Sequence, residues 1–111
     1  MTKIKSVLLI LIVLPLAVLS SAASAQSKLE ASIFSYDGKD FVRTNTTLMD
    51  KGKSATGTKL DQGSPAYKAL TAKQSFTGAV TVFGQNYDGS YAPLTDASGK
   101  VTGALFVGVP K

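Results

Sequence analysis

The chain has no histidine, no cysteine and no tryptophan, and its one arginine, Arg43, stands against eleven lysines. Without imidazole or thiol there is no Ser-His-Asp or Cys-His catalytic set, no zinc site of the usual donors, no disulfide and no lipoprotein anchor. Among the acid-base and nucleophilic groups that remain are Asp, Lys, Tyr and Ser. They show no paired arrangement, so the sequence reads as a non-enzyme. The acids Asp37, Asp40, Asp50, Asp61, Asp88 and Asp96 are too scattered for a calcium loop and read as turn-formers and caps, with no metal site. No glycine-rich strand-to-helix turn is present to hold a phosphate, and no cofactor is expected.

Long hydrophobic runs are equally scarce. Residues 7–19 form the only one, 13 residues broken by Pro15 and short of the roughly 20 needed for a membrane-spanning helix. Lys3 and Lys5 precede it, and Ala23-Ser24-Ala25 follows as a small-residue cleavage motif before Gln26. That pattern is a secretory signal over residues 1–25, leaving residues 26–111 as one mature domain. The alternative is an uncleaved anchor, and either reading places the domain in the periplasm or outside the cell. The first 25 residues hold 17 of the 49 hydrophobic ones, and the remaining 86 carry a net charge of +3. Such a chain has a thin core and room for one site. Its positive charge is too weak and dispersed to indicate nucleic acid.

Within the mature chain, residues 31–36 (ASIFSY) alternate, residues 37–40 (DGKD) supply turn chemistry, and residues 41–45 continue extended. The pattern predicts a hairpin. Residues 46–64 are polar and glycine-punctuated and read as a long loop of the kind that binds ligands. Ser64-Pro65 predicts the capped start of a short helix ending near Lys73, with Tyr67, Leu70 and Ala66 on one face. Three strands follow, over residues 76–83, 90–94 and 101–109, with turns at residues 84–86 and 96–99. The last strand is apolar on both faces, which predicts a central position covered on each side. The expected fold class is an antiparallel α+β sheet of five strands.

The segments FSYDGKDFVRTNTTL, GTKLDQGSPAYKAL and SFTGAVTVFGQNYDGSYAPLTDASGKVTGALFVGV, in that order, resemble the single-Cache domains of the Cache 3/Cache 2 group. These are extracytoplasmic sensor modules of bacterial chemoreceptors and sensor kinases, so the resemblance brings in chemotaxis and signal transduction. It covers residues 31–109 and implies a PAS-like five-stranded antiparallel sheet whose long loop and short helix fold over one face to enclose a small-ligand pocket. Two departures stand out. Only residues 26–30 precede the first strand, where Cache sensors carry a long helix, and no second membrane span or signalling module follows before Lys111. The expectation is a ligand-binding domain without its own signalling module, acting with a membrane receptor or sensor kinase, or else a receptor remnant.

Arg43 is the leading candidate for a binding residue, because a guanidinium grips a carboxylate by two points and an ammonium cannot. It coincides with the Arg of the family's Phe-Val-Arg motif, for which the resemblance implies contact with the pocket or its walls. The alternative is an Arg paired structurally with Asp61 or Asp88. Period-two alternation puts Arg43 on one face with Phe41 and Asn45. Asn45 and Thr47, from the polar run after Arg43, are candidates to hold an anion, and Tyr67, Tyr87 and Tyr91 to close an apolar pocket and donate to a ligand oxygen. The expected ligand is a small organic anion such as a carboxylate. The competing expectation is a structural protein whose open sheet face pairs with another chain or with a second copy as a homodimer. The acceptor pattern Asn45-Thr46-Thr47 reads as accidental in a bacterial-type exported chain.

Overall fold

The computed structural model describes residues 29–111. The secretory-signal reading of residues 1–25 lies outside them. The order of elements is β1 (Glu30–Tyr36), β2 (Phe41–Thr46), β3 (Met49–Asp50), β4 (Lys53–Ser54), α1 (Pro65–Thr71), β5 (Phe76–Val82), β6 (Gln85–Thr95) and β7 (Val101–Pro110). Five strands form one antiparallel sheet in the order β2-β1-β7-β6-β5, and β3 and β4 make a separate two-stranded hairpin. This is the PAS-like α+β fold expected from the sequence, with the last strand at its centre.

Local chemistry sets the turns. Between β1 and β2, Asp37 Oδ1 accepts from the N–H groups of Lys39 (2.9 Å) and Asp40 (2.7 Å), and Gly38 takes φ +98°. Between β6 and β7, Asp96 Oδ1 accepts from Ser98 N, Ser98 Oγ and Lys100 N. At the start of α1, Ser64 Oγ accepts from Tyr67 N at 3.1 Å with Pro65 following. The helix stops where Lys73 turns to φ +63°, letting Gln74 N donate to Ala69 O and Lys73 N to Leu70 O.

Three expectations are corrected. The loop over residues 46–64 contains the β3–β4 hairpin, closed by Lys51 and Gly52 in left-handed conformation and tied down by buried Leu48 and Ala55, with Ala55 N donating to Leu48 O. The fourth long strand begins at Gln85, not residue 90, because the turn is Phe83-Gly84, with φ +50° and +77°. Its two-residue primed form matches the twist of the flanking strands. Finally, Asn45 does not share the face of Arg43. Ile33 lies opposite Asn45 and Phe34 opposite Arg43, so Thr44 is the extra residue of a β-bulge and the alternation reverses there.

The core fills the sheet's inner face. Tyr67, Phe41, Phe34, Tyr91, Phe106 and Tyr87 form a chain of aromatic neighbours with successive centroids 4.8–6.5 Å apart. Leu48, Leu60, Ala66 and Leu70 from the loop and α1 join this core. Two inner-face glycines make room for Phe106: a Cβ on Gly108 would sit 2.5 Å from its ring, and one on Gly89 would sit 2.9 Å from Val80 Cγ2 and 3.0 Å from the ring. The outer face departs from the expectation of a strand covered on both sides. Ile33, Leu105, Val107 and Val109 are 40–52% exposed among the described residues.

Candidate functional site

Arg43 leaves β2 on the inner face and is 3% exposed, a position a cation rarely holds without an acidic partner. Among the described residues the ion pairs are Lys59–Asp40 at 3.4 Å and Lys111–Asp88 at 3.7 Å. Neither includes Arg43, so the structural pairing with Asp61 or Asp88 is not formed. Arg43 Nη1 donates to Thr58 Oγ1 at 3.0 Å, and Nε is buried with no hydrogen-bond partner. The guanidinium carbon lies 4.8 Å from the centroid of the Phe34 ring and 5.1 Å from that of Phe83, within cation–π range of both. Burial pulls its pKa below the ordinary value, while the Tyr91 side chain acts in the opposite direction.

The local fold holds Arg43 in place by its main chain as well. Its N–H donates to Thr58 O at 2.8 Å and its C=O accepts from Gly57 N at 2.7 Å, while Leu60 N donates to Phe41 O. The loop thus runs along the free edge of β2, and Thr58 reaches the guanidinium from that loop.

Beside this cation opens a cleft of about 490 Å³. One wall is residues 79–83 of β5 and its turn, the other residues 59–61 and 63–66, and Arg43 and Tyr91 complete the lining. Most of the surface is apolar, from Val80, Val82, Phe83, Leu60, Pro65 and Ala66, with one buried charge. An apolar concavity holding a few convergent polar groups is the usual form of a small-molecule site.

The structure brings Arg43 and Tyr91 together in this cleft. Tyr91 is 2% exposed, and burial raises its phenol pKa while the Arg43 charge opposes the rise. The other sequence-derived candidates lie elsewhere. Asn45 and Thr47 border a shallow groove with residues 31–33, and Thr47 Oγ1 donates to Glu30 Oε1 at 2.6 Å. Tyr67 donates its hydroxyl to Lys39 O, with its pKa raised first by burial. Tyr87 packs edge-on against Phe106 and is likewise raised by burial. Sequence reasoning missed Thr58, Val80, Val82 and above all Phe83. The signal for Phe83 is its place before Gly84 at the end of an alternating strand, where Asn, Asp or Gly is the ordinary residue. A bulky aromatic in left-handed backbone is an outlier that singles the position out.

Among the described residues no helix is long and apolar enough to cross a membrane, and no group of three potential metal-ligating side chains gathers. No curated protein and no solved structure matches the chain. The family model of the Cache 3/Cache 2 fusion domain matches residues 21–111. That match spans the five-stranded sheet, the covering loop and helix and the Arg43 cleft together, and the chain belongs to the Cache 3/Cache 2 fusion domain family of extracytoplasmic ligand-sensing domains.

Proposed function

We propose that this Cache domain captures a small organic anion, of the carboxylate class, in the cleft beside Arg43. It does so as an exported periplasmic sensor module. The observation that carries the reading is the buried guanidinium with no acidic partner and an unpaired Nε, at the wall of a mostly apolar cleft whose rim also carries Lys59 and Asp61. A buried cation left in this state is costly to the fold. A carboxylate would supply the missing counter-charge and accept charge-assisted hydrogen bonds. Tyr91 stands beside Arg43 to orient the ligand, and Thr58 fixes the guanidinium from behind.

The test is a thermal-shift screen of the purified protein against small carboxylates, amines and amino acids, repeated with Arg43→Met. A dose-dependent rise in melting temperature with carboxylates, absent in the variant, supports the reading through ligand linkage. A folded sample that responds to no acid, or responds equally without Arg43, overturns it.

A second reading has its own observation. Ile33 pairs across the strands with Leu105, and Val107 and Val109 extend the same outer face, leaving an apolar strip uncovered among the described residues. Under that reading the sheet pairs with another chain, and a homodimer would show a melting temperature that rises with protein concentration.

A further inference from the structure

Five consecutive residues, 79–83, line the cleft. Side chains alternate along a strand, so a pocket lying on one face of β5 would meet every second residue. An unbroken run over residues 79–82, continued by Phe83 of the turn, points to a cleft that follows the strand's edge and meets its main chain. β5 is the terminal strand of the sheet.

The register shows which backbone groups are free. The turn to β6 has two residues, so Val82 and Gln85 form a hydrogen-bonded pair, and the pattern alternates back along the hairpin. The N–H and C=O groups of Val80 and Gly78 therefore turn toward β6, and those of Thr77, Ala79 and Thr81 turn outward. No main-chain hydrogen bond outside the β5–β6 ladder reaches these outward groups among the described residues. The opposite edge of the sheet differs: β2 is sealed by the loop through Arg43 N to Thr58 O, Gly57 N to Arg43 O and Leu60 N to Phe41 O. Among the described residues one edge is closed, and the other is open beside a buried cation.

We infer that the carboxylate this cleft takes is the C-terminus of a short extended peptide, which adds to the open edge of β5 as a further strand and delivers its terminal carboxylate to Arg43. The inference rests on the carboxylate reading of the site and names its ligand class. The Arg43 guanidinium lies near Phe83, at the C-terminal end of β5, so a peptide with its carboxylate there runs parallel to β5. Main-chain bonds to Ala79 and Thr81 supply sequence-independent affinity, and Val80, Val82 and Leu60 offer an apolar wall to the last side chains. The volume of about 490 Å³ fits such a ligand, whereas a two- or three-carbon acid would leave most of it to water.

The test measures binding of four probes by calorimetry. They are the tripeptide Ala-Val-Val as free acid, its C-terminal amide, the free acid N-methylated at its central residue, and propionate. The free acid is expected to bind tightest. The amide and the N-methylated peptide each lose at least about tenfold, the measure of one charge-assisted or edge hydrogen bond. Thr81→Pro removes an outward N–H without touching the β6 ladder, so it weakens the peptide and leaves propionate unaffected. The N-methylated probe gives the same information with the unaltered protein. If propionate binds in an Arg43-dependent way and the tripeptide binds no tighter, the peptide inference falls and the carboxylate reading survives. If neither binds, both fall. If acid and amide bind alike, Arg43 is not the anchor and the inference is overturned.

Discussion

Replacing Arg43 with methionine should make the protein more stable while abolishing anion binding. The side chain is 3% exposed, and holding a cation there costs several kcal/mol after relaxation. The unpaired Nε adds about 1–3 kcal/mol. Against this stand one charged hydrogen bond to Thr58, about 1.5–3 kcal/mol, and contacts with the Phe34 and Phe83 rings at about 0.5–2 kcal/mol each. The two sides nearly cancel. Methionine follows the same unbranched path, removes the charge and keeps about 2 kcal/mol of apolar burial. Thr58 is not orphaned, because its hydroxyl also donates to Ala55 O. The expected net gain is about 1–2 kcal/mol, or roughly 4–8 °C in melting temperature per kcal/mol for a domain of this size. Urea and thermal unfolding of the unliganded proteins measure it. A loss of more than about 1 kcal/mol in Arg43→Met would mean that the guanidinium is a structural element, and the argument for an anion site would lose its foundation.

Three further outcomes follow from the geometry. Gly103→Ala should destabilise by about 2–3 kcal/mol or prevent folding, since a Cβ there would lie 2.3 Å from Phe34 O, a backbone atom that cannot step aside; chemical denaturation reads the change. Lys73→Gly should stabilise by up to about 1 kcal/mol, because it relieves a left-handed residue at the end of α1, and the midpoint of urea unfolding should rise. The Asp96 carboxyl is held below its ordinary value of 3.8, first by the Ser98 hydroxyl and then by Lys100 N–H. Its contribution is present above about pH 4 and is lost as pH falls through the lower folded value, so Asp96→Asn should flatten the acid side of the stability–pH curve and leave neutral pH less stable.

Much of the scaffold was legible because its signals are local. The Asp37-Gly38 turn, the Ser64-Pro65 cap and the Asp96–Gly99 turn each carry their chemistry within four or five residues, and each appears where the sequence puts it. The doubly apolar last strand correctly marked the sheet's centre. What stayed hidden depends on partners far along the chain. The β3–β4 hairpin has two residues per strand and no alternation to read, and it is fixed by burial of Leu48 and Ala55 on either side of it. The bulge at Thr44 is visible only from β1, whose register decides that Arg43 goes inside while Asn45 goes out. Phe83 escapes a reading of the sequence because turn chemistry favours small polar residues, which points instead to Gly84-Gln85-Asn86. Of the candidate site, Arg43 could be found by its rarity, but its lack of an acidic partner is a fact of three dimensions.

The strand order carries a consequence for how the molecule comes into being. β1 finds one of its two sheet neighbours in β7, so Glu30 meets Gly108 and nothing nearer in sequence can take that place. Until β7 arrives, the five strands of the main sheet exist only as two separate hairpins, β1–β2 and β5–β6, each marginal in water. The sheet cannot close stepwise; it closes when its final strand slides between the two halves, a slow, long-range event. A nascent chain emerging N-terminus first would therefore keep its two halves unjoined until β7 emerges. Loss of β7 would leave two unjoined ribbons in place of a smaller domain.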